Sequence, residues 1–322
     1  MVTTSNVEIE GDVLYEHATL MREEIPDEEW LIPGLLTRSD KLIIFAAPGV
    51  GKSILVQQLA VALATESSFL GLDVQPGAQR ILFIAGEGDL RELQSRGQRI
   101  PGATPDERIW YWPVPLFAMN TIRGFNRMME FAAELRPTLT ILDPIYPLMM
   151  GSMSEDEPVG DFVRNMNRLQ HFAGCAIILT HHTHRPVKDQ EDDENNFFGS
   201  MLWEAWAKQT WSMRRDGPTE HYVSLRVVKD RNAINELKRS KESGAKLMLV
   251  EPDPLLFVTR TKGLGPTSTV IRETLRDRSM TNEELANVVG RGKSTVAEAV
   301  RAMVEAGFLA GNGSWPEKYT ST

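Results

Sequence analysis

The chain has 322 residues, 42% hydrophobic and 25% charged, with 35 Lys and Arg against 44 Asp and Glu for a net charge of −9. This is ordinary globular usage, which excludes a wholly disordered, collagenous or coiled-coil chain, and the length suits one large α/β unit with an appendage, or two domains. The acidic balance argues against a surface that binds polyanions throughout, because nucleic-acid affinity comes from clustered Lys and Arg, yet it permits a local basic channel.

Residues 1–29 read as an acidic arm. Carboxylates recur from Glu8 to Glu29 against Arg22 alone, with Val13, Leu14, Ala18 and Met21 spaced for a turn or two of amphipathic helix. The opening residues are polar and acidic, and no run of about 18 apolar residues follows, so neither a secretory signal nor a membrane span is expected. From Lys41 onward apolar strands (41–46, 80–85, 108–112, 139–143, 176–180) alternate with helical patterns (52–64, 90–98, 122–135, 159–172). That order predicts an α/β fold with a mostly parallel central sheet covered on both faces. The single cysteine, Cys175, falls in the apolar run 173–179 and is expected to be buried, as suits a reducing cytoplasm. Longer strands at 209–215, 221–228 and 246–259 predict an extension on one edge of the sheet.

Gly263, Gly265 and Pro266 mark 261–266 as a linker. Beyond it, helices begin near Val270, at Asn282 behind a Thr281/Glu284 capping box, and at Thr295 behind Ser294, and 309–319 suits a short hairpin. Three helices and a hairpin predict a small winged helix-turn-helix. The expected division is thus an arm (1–29), a central α/β domain (30–262) and a C-terminal domain (267–322).

The strongest chemical signal is Ala46-Ala47-Pro48-Gly49-Val50-Gly51-Lys52-Ser53, between an apolar strand and an amphipathic helix. This is the setting of a phosphate-binding loop: Gly49 and Gly51 let backbone N–H groups turn inward, the helix presents its positive end, Lys52 reaches the β- and γ-phosphates and Ser53 sits on Mg²⁺. Ala46 stands where the usual first glycine would be. Asp143 ends an apolar strand at the edge where the metal of such a site lies. Glu87, between Gly86 and Gly88 at another strand end, is the candidate for orienting the attacking water. Histidines 181, 182 and 184 lack the spacing of a metal cluster, and a strand sends His181 and His182 to opposite faces. One of the two is expected to donate toward the γ-phosphate, with His182 the candidate contact.

Together these elements resemble the RecA-like ATPase core, in the branch of RepA-type plasmid helicases and DnaB-like ring helicases. The resemblance runs from Trp30 to Arg260 and rests on Trp30-Leu31-Ile32-Pro33-Gly34-Leu35-Leu36, the phosphate loop, Glu87, Asp143-Pro144 and His181-His182. It implies that Glu87 polarises water, that Arg96 lies against the adenine, and that Arg231, with Lys229 in Val228-Lys229-Asp230-Arg231-Asn232, enters the next subunit's site as an arginine finger. It further implies ATP and Mg²⁺ as cofactors, a homo-oligomeric ring, most simply a hexamer, and single-stranded DNA held by segments 149–161 and 185–199. Those segments are acidic here, which departs from a phosphate-tracking pore. The C-terminal residues Arg291, Lys293, Ser294, Thr295, Trp315, Lys318 and Tyr319 would meet DNA, and Val296, Val300, Met303 and Phe308 would form the core beneath them. The expected function is a replicative DNA helicase of phage or plasmid type, with replication proteins as partners. The alternatives are a RecA/RadA-like recombination or annealing ATPase, and a winged-helix regulator switched by ATP.

Overall fold

The apolar runs assemble, in a computed structural model, into a nine-stranded sheet with helices on both faces. The structure describes residues 7–9, 12–77, 79–100, 108–182, 199–215, 222–231, 245–250, 256–259, 266–275, 279–289, 291–305, 309–311 and 318–321. In chain order come β1 (Val7–Ile9), β2 (Asp12–Leu14), α1 (His17–Leu20), β3 (Trp30–Ile32), β4 (Leu36–Thr37), β5 (Lys41–Ala46) and α2 (Lys52–Thr65). There follow β6 (Ile81–Ala85), α3 (Leu90–Arg99), β7 (Ile109–Pro113), α4 (Ile122–Leu135), β8 (Leu139–Asp143), α5 (Asp156–Ala173), β9 (Ala176–His182) and α6 (Met201–Trp206). The chain continues through β10 (Gln209–Arg215), β11 (Tyr222–Asp230), β12 (Ala245–Val250), β13 (Leu256–Thr259), α7 (Pro266–Thr274), β14 (Met280–Thr281), α8 (Asn282–Val289), α9 (Lys293–Glu305), β15 (Leu309–Gly311) and β16 (Lys318–Ser321).

The sheet order is β13-β12-β11-β10-β5-β9-β8-β6-β7. From β10 to β7 neighbours run parallel, whereas β11, β12 and β13 are added antiparallel on one edge. Pleating sorts the apolar runs. Leu42 and Ile44 of β5, with Ile81 and Phe83 of β6, pack in the layer that holds α2. Ile43, Leu82 and Ile84 pack in the opposite layer with α4, α5 and α6. A one-residue slip would exchange the two sets between layers, so the register is held by the fit of each set to its own layer rather than by burial alone. Helix α2 is buried almost all round, because β3, β4 and β13 cover the side that the sheet does not.

Several elements differ from the sequence reading. The stretch 246–259 is not one strand but the antiparallel pair β12 and β13, with Leu247 opposite Thr259. Helix α5 starts at Asp156 rather than Val159, so Asp156 and Glu157 occupy its first turn, where carboxylates complement the helix dipole. The segment 149–161 is therefore half helix and not a free loop. Pro266 opens α7 instead of ending a linker, which suits its preset φ and missing N–H; residues 260–265 lie outside the described residues. So do 183–198, which carry the second acidic segment, and 232–244. In the arm, α1 is a single turn, and Leu14 and Met21 are exposed. Helix α6 has no clear signal in the sequence and is set by Trp203 and Trp206 packing into the α5 layer.

The C-terminal elements enclose their own apolar cluster, including Ile271, Leu285, Val296, Val300, Met303 and Leu309; Phe308 and Trp315 lie outside the described residues. Thr281 and Glu284 form the expected reciprocal cap: Thr281 N donates to Glu284 Oε2 at 2.7 Å and Glu284 N to Thr281 Oγ1 at 3.2 Å. Strand β16 pairs with both β15 and β14.

Candidate nucleotide site

The loop 47–51 joins the buried end of β5 to the first turn of α2. Both of its glycines take the left-handed backbone that side chains resist, with φ +77° at Gly49 and +108° at Gly51. A methyl group at Gly51 would sit 2.7 Å from the Phe257 ring, whereas one at Gly49 would meet nothing within 4 Å. The cradle is thus walled on the β13 side and open at its mouth. At the start of α2, Lys52 is 5% exposed. Its Nζ donates to the Ala46 carbonyl at 2.7 Å, to that of Ala47 at 3.2 Å and to His182 Nδ1 at 3.2 Å. An ammonium only donates, so His182 accepts through Nδ1 and carries its own proton on Nε2. Burial pulls the Lys52 pKa down to about 8 against the opposing pull of Asp143 and Glu87. Burial and then the Lys52 charge lower that of His182.

Asp143 is fully enclosed at the end of β8. Burial raises its pKa, opposed by hydrogen bonds from Thr180 and Ser53 and by the Arg96 and Lys52 charges. Thr180 Oγ1 donates to Asp143 Oδ1 from the neighbouring strand. Ser53 and Asp143 thus meet as two oxygen donors of the kind Mg²⁺ accepts, and the lysine beside them suits a polyphosphate; the residues present fit both groups. Glu87 is exposed just beyond β6. The end of that strand is tied to β8 by Gly86 N donating to the Asp143 carbonyl at 2.8 Å. Arg96, on α3, is paired with Glu92 and lies close enough for its charge to act on Asp143.

His181 and His182 part as the strand pleat requires. His181 turns edge-on to Trp203, with ring centroids 6.1 Å apart, while His182 faces Lys52. Among the described residues no group of three or more His, Cys, Asp and Glu is placed to hold a metal; His184 lies outside them. Cys175 is buried beside Thr140.

Lys229 and Arg231 do not join this cluster. Asp230 pairs with Gln209, and Gln209 with Leu42, so both cations sit near the start of β5, on the order of 15 Å from its phosphate-loop end. There Lys229 Nζ donates to the Glu204 carbonyl and Arg231 Nη2 to that of Ala205 at 3.0 Å, at the negative end of α6. Arg291, Lys293, Ser294 and Thr295 are exposed around the start of α9, and Lys293 pairs with Glu283.

Sequence reasoning missed Thr180, Phe257 and Gln58. Thr180 has a faint signal, since it continues the register that sets Leu142 beside Leu179. Gln58, buried in the middle of α2, donates through Nε2 to the Phe257 carbonyl at 2.9 Å and accepts from Phe257 N at 2.8 Å.

A strand-loop-helix phosphate cradle, an acidic strand end beside it and a mostly parallel sheet define a P-loop ATPase of RecA-like fold. The chain belongs to the AAA domain family, whose profile matches residues 13–186, more than half of its length. It is 25% identical over 230 residues to the DNA repair protein RadA of Brucella abortus (strain 2308), covering 66% of this chain and 43% of that one, so it spans less than half the length of this relative. A KaiC-like protein from Pyrococcus horikoshii OT3 superposes with a TM-score of 0.50 at 14% identity, over 72% of this chain and 94% of its own, a likeness of fold. The flagellar accessory protein FlaH from Methanocaldococcus jannaschii gives 0.45 at 16% identity, over 70% and 90% of the two chains. Among the described residues no helix is long and apolar enough to cross a membrane.

Proposed function

We propose that the protein hydrolyses Mg-ATP between adjacent copies of itself, in a ring, most simply a hexamer, that acts on single-stranded DNA as a replicative helicase of phage or plasmid type. The loop N–H groups and Lys52 hold the phosphates, and Ser53 and Asp143 hold Mg²⁺, with Thr180 fixing the carboxylate. Bound Mg²⁺ supplies charge neutralisation across the phosphate oxygens. Glu87 orients the attacking water, His182 reads the γ-phosphate through its contact with Lys52, and Arg96 lies against the base. The observation that carries the reading is the separation of Lys229 and Arg231 from their own loop. On the opposite edge of the sheet they reach a phosphate only if a second copy stacks there, where a finger arginine is worth roughly 10³–10⁵ in rate. The C-terminal helices, read as a winged helix-turn-helix, give a separate DNA contact through α9, and replication proteins are the natural partners of such a ring.

A second reading, a recombination or annealing ATPase that forms filaments, is favoured by the likeness to a DNA repair protein. The discriminating experiment mixes Lys52→Ala with Arg231→Ala. Each alone is inactive, and mixed assemblies recover turnover at interfaces that pair an intact loop with an intact arginine. Full activity of Arg231→Ala by itself would overturn the shared site. Unwinding of a forked duplex in the same preparation selects the helicase, and filaments without unwinding select the second reading.

A further inference from the structure

Strands β13 and β10 touch the phosphate loop at one glycine each. On the inner side Phe257 lies against Gly51, held there by the two hydrogen bonds of Gln58. On the outer side Arg215, the last residue of β10, donates through Nη2 to the Gly49 carbonyl at 2.8 Å. Strand β10 is the parallel neighbour of β5. Their pairing ends at Ser212 and Phe45, and the next three residues carry Arg215 up alongside the loop. The buried Met213 anchors this stretch in the α2-side core, and pairing of Arg215 with Val223 holds its backbone.

A loop that points its N–H groups at a phosphate must turn carbonyls outward, where a side-chain donor can hold them in place of exchanging water. Gly49, with its open mouth and positive φ, is the position where the loop is least constrained by packing. We propose that Arg215 is a positioning residue of the phosphate loop, acting in cis: by holding the Gly49 carbonyl outward it keeps the N–H groups converged on the phosphates of the bound nucleotide. The inference rests on the proposed nucleotide site, and it differs from the finger assignment in needing no second copy. Because the contact is to the loop and not to the γ-phosphate, it serves ATP and ADP alike.

The test is titration of the full-length protein with Mg-ATP and with Mg-ADP, alongside steady-state turnover. In Arg215→Ala both dissociation constants rise about tenfold, the scale of one exposed hydrogen bond to a charged group, and KM rises with them while kcat stays within about twofold. Arg215→Lys, which retains a cationic donor, restores at least half of the loss. Arg215 is exposed, so the variant folds, and its melting temperature stays within about 2 °C of wild type. Affinities within twofold of wild type would overturn the proposal. So would a loss confined to ATP, which makes the arginine a γ-phosphate contact, or a fall in kcat at unchanged affinity. Wild-type protein that binds neither nucleotide would instead sink the nucleotide site itself.

Discussion

Carrying a charge on Lys52 costs the nucleotide-free fold free energy, and the cost has a pH signature. The lysine is 5% exposed, and burial lowers its pKa from 10.5 to about 8. Between those two values the unfolded chain holds the proton that the folded chain has released. The unfolded state therefore binds more protons, and stability rises with pH through this window. The fall to about 8 corresponds to ~3 kcal/mol, of which roughly 2–3 kcal/mol develops between pH 7 and pH 10. Other lysines and tyrosines titrate there too, so the quantity to read is the difference between wild type and Lys52→Met, from urea unfolding at pH 7, 8, 9 and 10. The expected result is that wild type gains ~2–3 kcal/mol on the variant across this range, and that saturating Mg-ATP at pH 7 stabilises wild type alone, because the phosphates take up the ammonium. A difference that stays flat, or that moves against wild type as the pH rises, refutes the burial argument.

Three further outcomes follow from the same geometry. Asp143→Asn keeps an acceptor for Thr180 and removes a carboxylate whose ionised form burial disfavours, so stability at neutral pH is unchanged or higher, while Mg-dependent ATP turnover falls by at least about 10–100-fold; a variant that hydrolyses ATP at the wild-type rate removes Asp143 from the metal site. Gly86→Ala puts a methyl 2.5 Å from the Pro144 carbonyl, prising β6 from β8 beside Glu87. The expected cost is ~1–3 kcal/mol of stability with loss of turnover, checked by thermal melting and an ATPase assay. Gln58→Leu orphans the buried N–H and C=O of Phe257, at ~1–3 kcal/mol for each group, and is expected to expose β13 to limited proteolysis well before the rest of the sheet opens.

Fold and site were legible in the sequence to different depths. The strands at 41–46, 139–143 and 209–215 match the observed bounds, as does the helix at 122–135, because buried runs and a 3.6-residue period are properties of consecutive residues. The Thr281/Glu284 cap and the placement of Lys52 and Asp143 at one edge of the sheet are legible for the same reason: a cap spans one turn, and a parallel sheet puts every strand end on one side. The pair β12 and β13 was legible but misread: Glu251-Pro252-Asp253-Pro254 interrupts the apolar stretch, and two prolines flanking an aspartate argue for a turn rather than one continuous strand.

The sequence by itself determined the parallel core, the loop and the residues of its mouth. Tertiary structure alone decided what holds that loop. The contacts from Gln58 to Phe257 and from Gly49 to Arg215 span 199 and 166 residues. The second exists because β10 runs parallel beside β5 to the level of the loop, and the first because the antiparallel strands beyond β10 bring β13 against α2. It also decided which histidine faces Lys52, and that Lys229 and Arg231 sit at the far edge from their own loop. Strand direction and register set these relations, and they follow from burying both faces of the whole sheet at once, which no short stretch of sequence encodes.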